Sequence, residues 1–442
     1  MERPSPFTLC SLAALAVPVA LAFGPVLDES TRSGDDVTRT EVRRAEEGWQ
    51  LLVDGEPFYV KGAGVEFGDM EALAAHGANA IRTWRTDNGR RSGKEVLDQA
   101  HALGLKVAMG IDVGRERHGF DYDDPSAVAA QLDRIRTEVI ALKDHPALIL
   151  WGIGNELNHH AKNPKVWDAV DEISRMIHDV DPHHLTTTSL SGMDPAVVRL
   201  VQERAPDLDV LSVQMYAEIE ILPERIAASG WDGPILVTEW GATGYWEVQK
   251  TSWGAPIEND SSTKADFYGS RYENSIASQR AQVIGSYVFL WGQKQERTPT
   301  WFGMFTEDGR ETESIDVMHR IWTGEWPGNR APRVSGLRLD GRPATASIKL
   351  EPGQRVRAEF DVEDPDRDRL GFRWELMLES SSSATGGDRE RRPKSIEGRI
   401  QGGTKRRISL RAPKEPGAYR LFAYCDDTDG NTAHANVPFL VE

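Results

Sequence analysis

The stretch from Leu148 to Asn158, LILWGIGNELN, decides the fold class of this chain. It begins with an almost entirely apolar run, which is typical of a strand buried on both faces of a parallel sheet. The apolar run ends on Asn155 and Glu156. The carboxyl ends of parallel strands are where α/β barrels place their functional groups. The stretch therefore predicts a buried parallel strand with a functional carboxylate at its end.

A second stretch, Pro234 to Gly241, repeats the same design. Its sequence, PILVTEWG, is an apolar strand that ends on the acid Glu239. Glu156 and Glu239 lie 83 residues apart, which is three strand-helix units of roughly 28 residues, close to the about 31 per unit of an ordinary eight-unit barrel. The spacing predicts that the two glutamates stand on the fourth and seventh strands of one barrel.

Strand patterns alternate with helical patterns along most of the chain. Eight strand candidates can be counted: Phe58–Gly62, Ala78–Trp84, Leu105–Ile111, Ala147–Ile153, Leu185–Leu190, Val210–Tyr216, Ile235–Trp240 and Ile284–Trp291. Glu156 follows the fourth candidate and Glu239 ends the seventh. The pattern predicts an α/β fold, a (β/α)8 TIM barrel.

Four motifs carry a resemblance to a known group of proteins. They are PFYVKG at Pro57–Gly62, NAIRTW at Asn79–Trp84, DHPALILWGIGNE at Asp144–Glu156 and VTEWG at Val237–Gly241. On these motifs the chain resembles the clan A glycoside hydrolases, and most closely the barrel domain of the family 2 enzymes. The resemblance covers roughly residues 48–324.

The resemblance assigns roles to the two glutamates, with Glu156 as general acid/base and Glu239 as nucleophile. Glycoside hydrolysis with retention needs such a pair, in which one carboxylate attacks the anomeric carbon and the other protonates the leaving oxygen. Because the two groups need different protonation states, their environments must differ. The resemblance thus implies a retaining glycoside hydrolase.

The resemblance also implies a supporting shell from other strand ends. We expect Asn155 to bind the sugar 2-hydroxyl, and Arg82 to lie near Glu239 and keep it ionised through a charge-assisted hydrogen bond. Tyr216 would donate its hydroxyl to the nucleophile. Trp291 would form the stacking floor under the reacting sugar.

Aromatic residues in the loops after the seventh and eighth strands are further candidates for substrate binding. Trp246 belongs to the first of these loops and Trp301 to the second. Flat apolar side chains at the active face would suit sugar rings. The alternative is that the indoles only anchor long loops to the barrel.

Composition narrows the classes of partner. The net charge of −17 argues against nucleic acid and anionic membrane surfaces, whereas a neutral glycan is indifferent to it. We expect a carbohydrate substrate, no cofactor and no metal, since adjacent histidines such as His159 and His160 rarely bind one ion together. The sequence leaves the oligomeric state open.

The N-terminal region has the pattern of an export signal. Arg3 precedes an apolar run that ends in small residues near Ala22. We expect a signal peptide at residues 1–22, a flexible lead-in at 23–42, and a secreted, periplasmic or cell-envelope protein; an uncleaved membrane anchor is the alternative. Of the two cysteines, Cys10 lies in this segment, so the mature chain would keep only Cys425.

The barrel, with an N-terminal hairpin, is predicted to cover residues 43–323. A Pro- and Gly-rich linker at 324–334 follows, and short alternating runs at 335–442 then predict a small all-β sandwich similar to immunoglobulin-like modules. Within it, Ser380–Gly387 is expected to be a mobile loop and the basic stretch 388–407 a solvated face. Acid-rich turns at 361–368 and 426–429 are expected to be plain turns, with calcium binding as the alternative.

Several functions fit these observations. The leading expectation is hydrolysis of a β-linked glycan, with a preference for β-glucan, including β-1,3-linked glucan. It rests on the loop aromatics and on the absence of the front sandwich domains usual in family 2, which suggests an open cleft. The alternatives are a β-glucan transglycosylase, an exo-acting β-glycosidase for galactosides, mannosides or glucuronides, and a non-catalytic glycan-binding protein.

Overall fold

The computed structural model describes Met1, residues 37–384 and residues 386–442. Beyond Met1, the predicted signal peptide lies outside the described residues, as do Cys10 and the lead-in up to residue 36. The last part of the predicted lead-in is ordered into the domain, because Thr38 is buried and the first strand begins at Thr40.

Three short strands precede the barrel: β1 (Thr40–Ala45), β2 (Gly48–Val53) and β3 (Glu56–Pro57). They form an antiparallel sheet in the order β1-β2-β3. A turn at Asp54 and Gly55 joins β2 to β3. Leu51 and Val53 pack against Ile149 and other residues at the starts of the barrel strands. The sheet therefore closes the end of the barrel opposite the carboxyl ends of its strands.

Eight parallel strands form a closed barrel. They are β4 (Val60–Gly64), β5 (Ala80–Arg82), β6 (Lys106–Ile111), β7 (Leu148–Asn155), β8 (Leu185–Ser191), β9 (Val210–Gln214), β10 (Ile235–Glu239) and β11 (Val283–Val288). Each overlaps one of the eight predicted strands, so the predicted barrel is confirmed. Glu156 follows the fourth barrel strand and Glu239 ends the seventh.

Eight α-helices accompany the strands in the described residues. They are α1 (Met70–Ala75), α2 (Gly93–Ala102), α3 (Pro125–Leu142), α4 (Lys165–Val180), α5 (Pro195–Arg204), α6 (Leu222–Ser229), α7 (Ser261–Arg271) and α8 (Glu313–Thr323). In α4 the buried residues Val166, Val170, Ile173 and Ile177 recur at helical spacing, which explains how one face packs on the barrel. None of these helices combines the length and apolar character that a bilayer crossing requires.

The C-terminal region forms a β-sandwich, as predicted. Its strands, with one that precedes α8, are β12 (Glu311–Thr312), β13 (Arg333–Leu339), β14 (Ile348–Leu350), β15 (Arg355–Glu363), β16 (Gly371–Leu378), β17 (Ile400–Gln401), β18 (Arg407–Arg411), β19 (Gly417–Asp426) and β20 (Asn431–Val441). One sheet has the order β12-β20-β19-β16, with β14 paired to β20, and the other has the order β13-β15-β18-β17. A core including Phe360, Leu421 and Phe439 lies between them.

Buried polar contacts join the sandwich to the barrel domain. The Glu258 carboxylate lies 2.5 Å from Lys264 Nζ and accepts a hydrogen bond of 2.6 Å from Asn436 Nδ2 of β20. Arg420 of β19 donates to the Pro256 carbonyl at 2.7 Å. These groups are almost completely buried, and a buried ion pair that lost a partner would be strongly destabilising. The contacts fix the sandwich in one position.

The acid-rich turns lie together at one end of the sandwich. Asp364 accepts hydrogen bonds from the backbone N–H groups of Asp366 and Asp368, and Asp427 accepts three more from its own turn. Such bonds are what aspartate supplies in ordinary turns. One oxygen each of Asp364, Asp368 and Asp427 lies within 4.8 Å of the others.

Candidate active site

The carboxyl ends of the barrel strands bring both glutamates into one cavity. The cavity has a volume of about 250 Å³. Its lining comprises Glu66, Trp84, Arg85, Arg115, Asn155, Glu156, Tyr216, Glu239, Trp246, Phe289, Leu290, Lys294, Glu296, Gly386, Gly387, Asp388 and Arg389. Five residues predicted for the site from sequence are therefore in the lining: Asn155, Glu156, Tyr216, Glu239 and Trp246.

Glu239 is held by three side-chain donors. Its Oε1 accepts 2.7 Å and 2.8 Å hydrogen bonds from Arg82 and from the Trp84 indole. Its Oε2 accepts a 2.8 Å bond from the Tyr216 hydroxyl. Burial, followed by the charge of Glu239, raises the pKa of Tyr216 well above its usual value, so the phenol stays a donor. These contacts fix the carboxylate and stabilise its negative charge.

The close approach of Trp84 to Glu239 depends on a glycine in the neighbouring strand. A Cβ atom on Gly64 would lie 2.8 Å from the Trp84 ring, closer than packed carbon atoms approach. The indole uses the space that a side chain would otherwise fill. Trp84 also lies under the Arg82 guanidinium, 5.0 Å from its ring centroid, where a cation and an aromatic face attract each other.

Asn155 is oriented by two donors to the same oxygen. Its Oδ1 accepts from Arg82 Nη2 at 2.6 Å and from Gln214 Nε2 at 2.7 Å. Gln214, to which the sequence assigned no role, therefore orients Asn155. Because both bonds use Oδ1, the amide nitrogen remains as the group available to a ligand hydroxyl.

Glu156 stands on a strained piece of backbone at the end of β7. Its φ angle is +51°, a conformation that non-glycine residues rarely adopt and that often marks functional sites. The preceding Gly154 also has a positive φ of +73°, and a Cβ there would lie 2.6 Å from the Leu157 side chain. The Glu156 N–H donates to the Ser189 carbonyl at 2.9 Å. The sequence GNEL thus turns the acid out of the strand.

The environment of Glu156 favours its protonated form. Burial, and then the negative charge of Glu239, raises the pKa of Glu156 to about 7, while a hydrogen bond to Ser191 opposes the shift. A carboxyl group with this pKa holds its proton over part of the neutral range and can donate it. Glu239, by contrast, lies among donors. The two acids therefore have the unequal environments that a proton donor and a nucleophile need.

Trp246 is the loop aromatic that faces the cavity. Its side chain is 51% exposed and stands edge-on to Tyr216, with ring centroids 5.3 Å apart. The adjacent Glu247 fixes the loop, because its carboxylate accepts hydrogen bonds from the backbone N–H groups of Gly244, Ala217 and Glu218. The exposed indole face is available to a ligand.

Two of the predicted aromatic contacts are wrong. Trp291 is completely buried, and its indole N–H donates to the Asp69 carbonyl at 2.8 Å. Trp301 is 1% exposed and donates to the Thr243 carbonyl at 2.9 Å. Neither lines the cavity. A fully buried indole offers no face to a sugar, so these residues anchor loops, the alternative that the sequence left open for Trp301.

The cavity contains residues that sequence reasoning missed. Trp84 follows Arg82 by two residues, and the two-residue period of a strand would have placed both on the same face. Glu296 is a further carboxylate in the lining; its side chain is buried, and burial raises its pKa. Nothing in the local sequence distinguishes it. The segment Gly386–Arg389 comes from the sandwich, and it lies across one side of the cavity that was expected to be open.

Contacts between the sandwich and the barrel loops partly correct two predictions, that of a solvated face and that of a mobile loop. Asp388 forms an ion pair with Arg117 at 2.8 Å, and Arg297 donates to the Ser382 carbonyl at 2.7 Å. The ends of the predicted loop are therefore attached to barrel loops. This side of the cavity is formed by the sandwich segment together with the barrel loops. The two are far apart in the sequence and come together only in the folded protein.

Comparison with known proteins agrees with the barrel. Residues 60–245 match the family model described as "Glycosyl hydrolases family 2, TIM barrel domain". A beta-glucuronidase of Streptococcus agalactiae serotype V is 24% identical over 261 residues, which cover 50% of this chain and 42% of that protein. A beta-galactosidase of Arthrobacter sp. is 30% identical over 120 residues, covering 25% of this chain and 11% of that protein. The chain thus spans less than half the length of these curated relatives.

Solved structures with the same fold cover most of the chain. An FMN-binding beta-glucuronidase from Faecalibacterium prausnitzii L2-6 has a TM-score of 0.51 at 15% identity, covering 91% of this chain and 59% of that one. Bacteroides uniformis beta-glucuronidase 2 has a TM-score of 0.50 at 12% identity, covering 91% and 48%. At these sequence identities, the similarity to the solved structures shows a shared fold. The family match shows separately that residues 60–245, which carry both glutamates, resemble the TIM barrel domain of the family 2 glycosyl hydrolases.

Proposed function

We propose that this protein is a retaining β-glycosidase that acts at the end of a glycan or on a small glycoside. The observation that carries the proposal is the placement of Glu156 and Glu239 in one cavity with unequal surroundings. A protonated acid next to a carboxylate fixed by three donors is the arrangement that double displacement uses.

In the first step, Glu239 attacks the anomeric carbon while Glu156 transfers its proton to the departing oxygen. The bond from the anomeric carbon to the leaving group breaks, and an ester between the sugar and Glu239 forms. In the second step, Glu156 removes a proton from water, which attacks the same carbon and releases Glu239. The proton returns Glu156 to its starting state, and the configuration is retained.

Exo action is the form of the proposal that the cavity supports best. Its volume of about 250 Å³ lies below the roughly 300–1,000 Å³ of pockets for drug-sized ligands. The space around the two glutamates thus suits one sugar ring, and an adjoining cavity of about 560 Å³, which shares Glu66, Leu290 and Lys294 with it, leaves room for the leaving group. The sandwich segment Gly386–Arg389 also walls one side of it. Trp246 then serves as a stacking surface at the rim.

The preference for β-1,3-glucan loses two of the observations that favoured it. Trp301 is buried, and the expected open cleft is walled on one side by the sandwich. The related proteins are a beta-glucuronidase and a beta-galactosidase, so these two sugars join glucose in the first panel of substrates. β-Glucan oligosaccharides remain in the panel as the longer alternative.

The test is turnover of 4-nitrophenyl β-D-glucoside, galactoside, mannoside and glucuronide, and of laminarin oligosaccharides, followed by proton NMR. We expect one sugar to be released first as its β-anomer. Initial release of the α-anomer would overturn retention. A ladder of internal fragments from laminarin would overturn exo action. Products longer than the starting oligosaccharide would indicate transglycosylation.

We also propose that the protein is exported, on the basis of the apolar N-terminal pattern at residues 1–22. Expression with the native N-terminus, followed by cell fractionation and N-terminal sequencing, tests this. Recovery outside the cytoplasm of a chain that begins near residue 23 supports export with cleavage. An intact chain in the membrane fraction would support the anchor instead, and an intact cytoplasmic chain would overturn export.

A further inference from the structure

The charged side chains around the cavity do not balance. Nine of them line it: the acidic Glu66, Glu156, Glu239, Glu296 and Asp388, and the basic Arg85, Arg115, Lys294 and Arg389. Burial makes the pairing of each charge energetically important, because an unpaired charge loses the stabilisation that water would provide. The ion pairs therefore show which charges are left for a ligand.

Four of the five acids have a basic partner. Glu66 pairs with Arg85 at 3.1 Å and Glu296 pairs with Lys294 at 3.0 Å. Two further cations, which do not line the cavity, neutralise the other two acids: Arg117 pairs with Asp388 at 2.8 Å and Arg82 pairs with Glu239 at 2.7 Å. The fifth acid is Glu156, which must be protonated to act as an acid.

Two guanidinium groups remain. Arg115 donates through Nε to the Asn155 carbonyl at 3.2 Å, and its charge is felt by Glu156. Arg389 is exposed at the rim. Within residues 37–384 and 386–442, neither makes an ion pair with an acid. When Glu156 carries its proton, the cavity thus has an excess of positive charge in a protein whose net charge is −17.

We propose that Arg115 and Arg389 bind an anionic substituent of the substrate, a carboxylate or a sulfate group on the sugar. This rests on the proposed function and extends it to a class of substrate. A guanidinium group matches both anions, since its parallel N–H donors can bind two oxygens at once. In a partly enclosed cavity these contacts are screened less than at an open surface.

The position of Arg389 is fixed by its neighbours along the chain. Gly387 accepts a 2.9 Å hydrogen bond from Lys294, and Asp388 pairs with Arg117. On the other side, Glu390 accepts a 2.9 Å bond from the Arg297 N–H. The residues on both sides are thus attached to barrel loops, which places the arginine at the cavity before a ligand arrives. The sandwich therefore contributes directly to substrate selection.

Matched substrates and variants test the proposal. We would compare kcat/KM for 4-nitrophenyl β-D-glucoside, glucuronide and glucoside 6-sulfate. The wild type should prefer an anionic substrate. Arg389→Ala should lower kcat/KM for that substrate by about 10- to 100-fold, the range expected for a charged hydrogen bond, and by more than it lowers kcat/KM for the glucoside. Arg389→Lys should restore part of the loss. The preferred anion distinguishes carboxylate from sulfate.

A nearby arginine provides the control. Arg391 is exposed, does not line the cavity and lies two residues from Arg389. Arg391→Ala should leave the preference unchanged. An equal loss in this variant would show that general surface charge is responsible, and that result would overturn the proposal. A wild-type enzyme that prefers the neutral glucoside would also overturn the proposal.

A binding measurement separates this proposal from the proposed function. With the wild-type protein, calorimetry would compare glucuronic acid, glucose 6-sulfate and glucose, none of which has a glycosidic bond to cleave. Tighter binding of an anion, weakened by Arg389→Ala and by added salt, would support the proposal even if no glycoside were hydrolysed. Hydrolysis of neutral glycosides alone, without a preference in binding, would leave the proposed function standing and overturn this extension.

Discussion

The indole nitrogen of Trp84 lies 2.8 Å from carboxylate Oε1 of Glu239. The same oxygen accepts a hydrogen bond from Arg82, so a neutral donor and a charged one share one acceptor. Two donors on one oxygen restrict the rotation of the carboxylate, and the Tyr216 hydroxyl holds the other oxygen. The proposed nucleophile is therefore positioned before substrate binds, which reduces the reorganisation needed in the reaction.

Trp84→Phe should weaken catalysis more than substrate binding. The substitution removes one donor to Glu239 and keeps an aromatic ring beside Gly64. Loss of a preorganised donor costs about 10- to 100-fold in kcat, below the effect of removing a whole oxyanion donor. Steady-state kinetics and a melting curve check this together. A variant with normal kcat would show that the Trp84 contact has no catalytic importance.

The pKa of Glu156 predicts the alkaline side of the pH profile. Because the raised value is about 7, the proton donor is present below this pH and is lost above it. We expect kcat/KM to fall about tenfold per unit above pH 7. Glu156→Gln should remove this limb and slow hydrolysis of glycosides with poor leaving groups by about 100-fold or more. Loss of activity only above pH 9 would contradict this assignment.

Trp246 and Trp301 should respond differently to truncation. Trp246→Ala removes an exposed face at the cavity, so KM should rise while the melting temperature stays within a few degrees. Trp301→Ala empties a buried site and should cost about 3–5 kcal/mol of folding free energy. Denaturant unfolding alongside kinetics distinguishes the two. A stable Trp301→Ala protein with a specific rise in KM would restore the subsite role that burial contradicts.

The interface between the sandwich and the barrel should make the free energy of unfolding decrease as the pH is lowered. Burial lowers the pKa of His434 to about 3, below the unfolded value of about 6.5. The folded protein therefore keeps this ring neutral, while the unfolded chain takes up a proton below pH 6.5. The stabilisation is complete above pH 6.5 and is lost as pH falls towards 3.

His434→Gln should flatten the decline in stability between pH 6.5 and pH 4. Urea unfolding at several pH values measures it, with the exposed His101→Gln, on the barrel helix α2, as control. Burial would raise the pKa of Glu258, whose charge acts on His434, but Lys264 and other charges outweigh burial and lower this pKa to about 2. The stability that Glu258 contributes is present above the pKa of a glutamate in the unfolded chain and is lost as pH falls towards 2. Glu258 and His434 therefore both make the protein less stable at low pH. A wild-type stability that does not change over this range would contradict the account.

The barrel and its two acids could be predicted because each signal is local. An apolar strand followed by Glu156, repeated before Glu239, encodes both the burial of the strands and the place of the carboxylates. The regular spacing of the strand candidates predicted the number of strands in the barrel. Arg82 and Tyr216 followed from the resemblance at strand ends, and the structure places both on Glu239.

The remaining features depend on contacts between distant parts of the chain. Trp291 and Trp246 are both tryptophans in active-face regions, and only packing shows that one is buried and the other exposed. Arg389 reaches the cavity because the sandwich docks through Glu258 and Arg420. Nothing in the sequence around Arg389 records that docking. Burial and domain placement are therefore the properties that the sequence left undetermined.

The most direct test of the account is covalent trapping of the nucleophile. The enzyme would be incubated with the 2-deoxy-2-fluoro β-glycosyl fluoride of whichever sugar it hydrolyses, digested and examined by peptide mass spectrometry. The account predicts one added fluorosugar on the peptide that carries Glu239, and none in Glu239→Gln. An adduct on another residue, or hydrolysis without any adduct and with inverted configuration, would contradict it.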